Sequence, residues 1–198
     1  MAGTRVAPAY LLIVASSSRV LAGVDPATRQ RIVLASSTNL HNLGSGHLEV
    51  LLASAAITDR PLGVPGWSVA TVALVGAEAL WGPGWTTTVF LLGHVGGSLL
   101  VAAGLTALQR LGVLPATTTR AADVGISYGL LAVLGAHAAD LPPRRPALYA
   151  AGGLALLGGV AATSRTFTDA GHLTAFALGL GAGGLRRRRR APGGQPRT

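Results

Sequence analysis

Hydrophobic and polar positions along the chain separate into long blocks rather than short alternations. Stretches without a single Asp, Glu, Lys or Arg cover residues 6–18, 61–77, 79–109, 124–139, 146–164 and 170–185. A bilayer crossing needs about 20 mainly apolar residues, and several of these blocks reach or approach that length. A helix on a soluble core would instead carry one charged face along its length, and no block does. The pattern predicts an all-α polytopic membrane protein with six spans, near residues 6–23, 66–82, 86–108, 122–139, 146–164 and 170–185. Ser16, Ser17, Ser18 and Arg19 occupy the second half of the first block. Arg19 interrupts the region where a signal-peptide cleavage site should follow, so the block reads as an uncleaved span. Residues 24–65 form a long connection holding Arg29, Arg31, Glu49, Asp59 and Arg60. Its apolar piece, 48–57, is too short to cross and predicts an interfacial or re-entrant helix. Pro83, between Gly82 and Gly84, predicts a tight turn between the second and third spans.

Composition strengthens this picture and narrows the partners. The 198 residues are 49% hydrophobic and only 12% charged, with too little charge to cover a soluble surface. All 16 basic residues are Arg and the net charge is +9. Five of them form the run 186–190, directly after the last apolar block, where a basic cluster anchors a helix to anionic headgroups on the cytoplasmic side. The charge therefore points to the lipid bilayer and not to nucleic acid. An even number of spans puts both termini on that side. Nine arginines then fall inside (Arg5, Arg144, Arg145, 186–190 and Arg197) and seven at or near the outside. The absence of cysteine excludes disulfides, haem-attachment motifs and cysteine-based zinc sites, and no metal or cofactor is expected. The organisation is a single transmembrane domain over 1–190 in the cell membrane, with 191–198 as a disordered cytoplasmic tail. No internal repeat is evident, which disfavours a small transporter built on two broken helices.

Ionisable groups within spans are costly and face a bundle interior or a water-filled cavity. Here they are Glu78, His94, Asp123, His137 and His172. Glu78, near a helix end before Gly82, reads either as a hydrogen-bonding tie or as part of a site. His94, between Gly93 and Gly96, reads as an interhelical hydrogen-bonding residue or as a site residue. His137 lies close to the next loop, and His41 and His47 lie in the long connection.

Ser127 and His172 stand out through their neighbours. Gly125 and Gly129 flank Ser127 as a small-xxx-small pair. Gly171, Ala175, Gly179 and Gly183 recur every four residues on the last span, beginning beside His172. Small stripes let membrane helices approach closely, and close approach brings a hydroxyl to an imidazole at ~2.6 to 3.2 Å. The same stripes are also readable as dimer or bundle packing faces alone, a reading that glycine's abundance along the chain favours. On a continuous helix Ser127 falls only ~6 Å below Asp123, shallow enough for water, and a helix start offers free amides and a positive dipole end for an oxyanion. Gly125, Ser127 and Gly129 formally match the nucleophile elbow of soluble α/β hydrolases, but that motif needs a strand before it and an acidic partner, and neither is expected here.

Taken together, these residues resemble the rhomboid intramembrane serine proteases, and more closely the divergent rhomboid-like membrane proteins of actinobacteria, over about residues 37–184. Gly125 and Ser127 are similar to the family's G-x-S at the start of the fourth helix. His172, Ala175 and Gly179 are similar to the histidine and small residues opening the sixth, Glu78 and Gly82 to the end of the second, and Leu51 to Ala55 to its membrane-embedded first loop. The resemblance implies six helices, cytoplasmic termini, a Ser127–His172 dyad without an acid, and transmembrane proteins as substrates or clients. Gly129, Ala175, Gly179 and Glu78 take structural parts, and Gly125 and His94 support the oxyanion. The family's H-x-x-x-N motif should fall near residues 62–67, which read Leu, Gly, Val, Pro, Gly, Trp. Tyr128 replaces a second glycine, and the Trp-Arg pair of the first loop is missing. Two functions follow: an intramembrane serine endopeptidase, or a catalytically impaired rhomboid-fold protein that binds transmembrane segments of its partners.

Overall fold

The computed structural model describes residues 6–190, the side chains of 116 and 117 excepted. The expected tail, 191–198, and Arg5 and Arg197 lie outside the described residues. Nine α-helices follow one another among the described residues: α1 (Val6–Ala22), α2 (Pro26–Ala35), α3 (Leu40–Gly44), α4 (Val50–Ala56), α5 (Gly63–Trp81), α6 (Pro83–Arg110), α7 (Ser127–Ala136), α8 (Arg145–Ser164) and α9 (Phe167–Arg190). Short 3-10 helices cover Ala116–Arg120 and His137–Asp140. No β-strand occurs among the described residues. By length and composition, α5, α6 and α8 suffice to cross a membrane, and α1 is a shorter apolar helix of 17 residues.

Three polar residues of α1 have partners in or just after α4. Ser17 Oγ donates to the Ala56 carbonyl, Ser18 pairs with Thr58 at 2.8 Å, and Tyr10 Oη donates to the Ala55 carbonyl at 2.7 Å. These contacts tie α4 and the residues after it to α1. Residues 24–62 contain more helix than expected, because α2 and α3 are nucleated by side-chain caps rather than by apolar periodicity. Asp25 accepts from the amides of Ala27 and Thr28, with Pro26 in the first turn, and Asn39 accepts from Asn42. Hydrogen bonds from Thr28 hold the exposed Asp25 carboxyl below the ordinary carboxylate range. The apolar piece expected at 48–57 appears as α4, folded against α1 and α6.

Long-range contacts place both ends of the described chain at one end of the bundle. Glu78, near the end of α5, accepts from the first amides of α1, Val6 at 3.1 Å and Ala7. These are orphan donors of a helix start, so Glu78 acts as a cap supplied by another helix, the tie that was one of its two readings. Arg186 of α9 pairs with Asp140 at 2.9 Å, and Asp140 accepts from Trp81 Nε1 at 2.7 Å. The Arg186 guanidinium lies 5.2 Å from the Trp81 ring centroid, and the His137 ring packs 4.5 Å from Trp81. The run 186–190, expected as an anchor to anionic headgroups, is divided between the bundle and its surface. Arg186 is only 9% exposed and α9 stays helical through Arg190, leaving Arg187 to Arg190 outside.

The interior mixes many small residues with a few large ones such as Leu74, Phe90, Ile126 and Phe176. Ala70, Ala73, Ala77, Val89, Ala132, Val133, Ala136 and Ala175 are buried, whereas Leu12, Val64, Val72, Leu80, Leu100, Leu148 and Leu156 point outward. A belt of exposed aliphatic side chains this extensive suits lipid and not water. The helices α6, α7 and α9 pack mutually, each against the other two, and α8 packs at the periphery with no buried residue.

Candidate active site

The segment before α7 is where sequence and structure part. The expected helix from 122 begins only at Ser127, and 121–126 is a non-helical segment pinned by the first connection. The Asp123 amide donates to Ser37 Oγ at 2.7 Å. Thr38 donates to Asp123 through its amide and through its hydroxyl, each at 3.1 Å. The Gly125 amide donates to the Ser54 carbonyl at 2.9 Å, and Ser54 Oγ lies 2.9 Å from His94 Nε2. Ser37, Thr38, Ser54 and His94 are all buried, so residues 24–62 form the wall that fixes where α7 starts.

Gly125 is not a packing glycine. An added Cβ would meet nothing within 4 Å, but its φ is +128°, a backbone conformation side chains resist. It turns the non-helical segment into the helix and so aims Ser127. Gly129 does pack, against Phe90 of α6, where a Cβ would lie 2.4 Å from the ring. The α9 stripe is what meets α7. A Cβ on Gly171 would strike the Tyr128 hydroxyl at 2.2 Å, one on Gly179 the Ala132 carbonyl at 2.0 Å, and one on Gly183 the Ala136 carbonyl at 2.5 Å, with Ala175 wholly buried between them.

Across this interface Ser127 Oγ lies 2.9 Å from His172 Nε2. Both residues are half-buried, and His172 keeps 23% of its side-chain exposure. The depth argument from Asp123 fails because 123–126 is not helical. From Asp140, the four 3-10 residues and ten α-helical residues rise ~23 Å to Ser127. Amides of the first helical turn lack intrahelical acceptors. Here those of Ser127, Tyr128 and Gly129 precede the first such bond, Leu130 to Ile126 at 2.9 Å.

The two expected oxyanion supports both contact Ser54. His94 lines the same small polar cleft as Ser127, with Thr38, Ser98, Asp123 and Tyr128; its Nε2 is bound to Ser54 and its Nδ1 is buried without a hydrogen-bond partner, while the Gly125 amide is bound to the Ser54 carbonyl. His41 and His47 are exposed, His47 pairing with Glu49 at 3.0 Å.

Sequence reasoning also missed neighbours of the pair. The Tyr128 ring meets the His172 ring edge-on, with centroids 5.5 Å apart. Asp169 Oδ1 lies 3.5 Å from His172 Nδ1. An acidic neighbour was not expected, yet the three-residue spacing of Asp169 and His172 on a helix was a readable signal. Among the described residues no cluster of three or more His, Cys, Asp or Glu has metal-binding geometry.

An all-α bundle with a belt of exposed aliphatic side chains defines the class, a helical membrane protein. A family model for rhomboid-like proteins matches residues 2–192, and the chain belongs to that family. No curated protein and no solved structure matches it.

Proposed function

We propose that this protein is an intramembrane serine endopeptidase acting on transmembrane segments of other proteins. The observation that carries the reading is the 2.9 Å approach of Ser127 Oγ to His172 Nε2 across two separate helices, within the range a general base needs. Ser127 Oγ attacks the scissile carbonyl carbon as its proton passes to Nε2. The new Oγ–C bond forms, the carbonyl oxygen becomes an oxyanion at the start of α7, and the free amides there stabilise it. The C–N bond then breaks as His172 returns the proton to the leaving nitrogen. Water releases the acyl group by the same steps in reverse order. The partial exposure of both residues supports entry of water to the pair. The protein spans the cell membrane six times with both termini cytoplasmic, through α1, α5, α6, α7, α8 and α9. This orientation follows from the arginines at 187–190 lying at the end opposite Ser127.

A second reading, a rhomboid-fold protein that binds transmembrane segments without cleaving them, is favoured by one observation. The start of α5, where the family's H-x-x-x-N falls, offers no such side-chain donors, and His94 and Gly125 are committed to Ser54. Loss of one oxyanion donor costs roughly 10²–10³ in rate, so the two readings differ in turnover and not in architecture. Purified protein in proteoliposomes with a panel of single-span substrates separates them. Cleavage products mapped by mass spectrometry, abolished by Ser127→Ala, support the peptidase. Stable capture without products by both proteins supports the binder.

A further inference from the structure

Ser127 alone does not determine which nitrogen of His172 carries the proton. To receive the hydroxyl proton, Nε2 must present a lone pair, so the neutral ring must be protonated on Nδ1. Without an acceptor facing Nδ1 the other tautomer competes, and its Nε2–H points uselessly at Ser127. Among the described residues Asp169 is the one carboxylate within 4 Å of the ring, with Oδ1 at 3.5 Å from Nδ1.

Its surroundings aim it there. Asp169 sits in the first turn of α9, three residues before His172, so both side chains share one helix face. Ser164 Oγ and Thr166 Oγ1 both donate to Oδ2, and the Asp169 amide donates to Thr166 Oγ1 at 3.2 Å. The tight turn between α8 and α9, with Arg165 at φ +53°, delivers these hydroxyls. One carboxylate oxygen is thereby fixed and the other left for the imidazole. Asp123, the other nearby acid, lines the same cleft as Ser127 but is buried and bound by Thr38.

We propose that Asp169 is a positioning residue for the reaction. It holds the His172 proton on Nδ1 and balances the imidazolium that forms when Nε2 takes the Ser127 proton. The Nδ1 proton stays in place throughout and Asp169 remains ionised. The 3.5 Å separation shortens to a hydrogen bond as charge develops, as catalytic contacts do on leaving the resting state. This rests on the peptidase reading, and it makes the site a Ser127–His172–Asp169 arrangement of three groups instead of two.

The test uses the full chain in lipid nanodiscs with ¹⁵N-labelled histidine, the His172 signals being assigned by their loss in His172→Gln. The expected result is a ring protonated predominantly on Nδ1 in the wild type and a mixed population in Asp169→Ala. In parallel, labelling of Ser127 by a fluorophosphonate slows at least ~10-fold in Asp169→Asn, whose amide favours the wrong tautomer. Asp169→Glu recovers part of the rate, and the thermal midpoints stay close to wild type. An unchanged tautomer population in Asp169→Ala, or an unchanged labelling rate in Asp169→Asn, overturns the proposal. A wild-type protein inert to the probe overturns the peptidase reading instead, and the tautomer measurement then decides the part of Asp169 alone.

Discussion

Gly179 lies so close to the backbone of Ala132 that a Cβ on it would come within 2.0 Å of the Ala132 carbonyl oxygen. This contact sets the separation of α7 and α9, and with it the reach of Ser127 to His172 two turns away. Polar contacts are few along the interface, so shape, and not hydrogen bonding, fixes the register of the pair.

Gly179→Ala is therefore expected to push the helices apart, costing ~1–3 kcal/mol as overpacking does, and to reduce Ser127 reactivity further than stability. Gly181→Ala is the control, because nothing lies within 4 Å of its added Cβ. Thermal unfolding and probe labelling of both variants check the contrast. Equal behaviour of the two would show that the crossing is not set by Gly179.

Gly125→Ala acts by another route. Its Cβ meets open space, so the penalty comes from the backbone at φ +128°, and a destabilisation of about 1 kcal/mol or more is expected. The strain relaxes by turning Ser127 away from His172. A loss of reactivity with no added strain on α9, read by hydrogen exchange confined to 121–130, identifies this mechanism.

At the opposite end, Arg186→Ala leaves Asp140 and Trp81 without their cation. Breaking such a pair costs roughly 3–5 kcal/mol when fully buried. Asp140 keeps 29% of its side-chain exposure, so the lower end is expected. Arg188→Ala, on the exposed part of the run, is expected to change stability by less than ~0.5 kcal/mol. Similar melting shifts for the two would return Arg186 to the lipid-facing set.

Glu78→Ala removes the acceptor of the Val6 and Ala7 amides. Loss of a helix cap costs ~0.5–2 kcal/mol, and the effect should concentrate in faster amide exchange over the first turn of α1. Glu78→Gln, which keeps an acceptor oxygen, is expected to lose less.

Much of this molecule was legible because membrane helices announce themselves by missing charge. The blocks at 61–77, 79–109 and 146–164 fall on α5, α6 and α8, and the four-residue stripe from Gly171 lies on the face that meets α7. Ser127 and His172 were readable as a pair only because small residues flank both. Other features depend on contacts between distant parts of the chain. Ser54 and His94 stand 40 residues apart, and nothing local marks them as partners. Gly125 was read as half of a packing pair with Gly129, since sequence spacing does not distinguish a glycine chosen for φ from one chosen for size. Asp169 was passed over because it stands at the edge of its block, although its spacing from His172 was in plain view.

The most direct measurement is mass-spectrometric mapping of fluorophosphonate labelling on the wild-type protein in lipid bilayers. The peptidase reading predicts one labelled residue, Ser127, with labelling abolished in Ser127→Ala and strongly reduced in His172→Ala, both variants remaining folded. A folded wild-type protein that stays unlabelled at Ser127, or that labels equally well without His172, contradicts it.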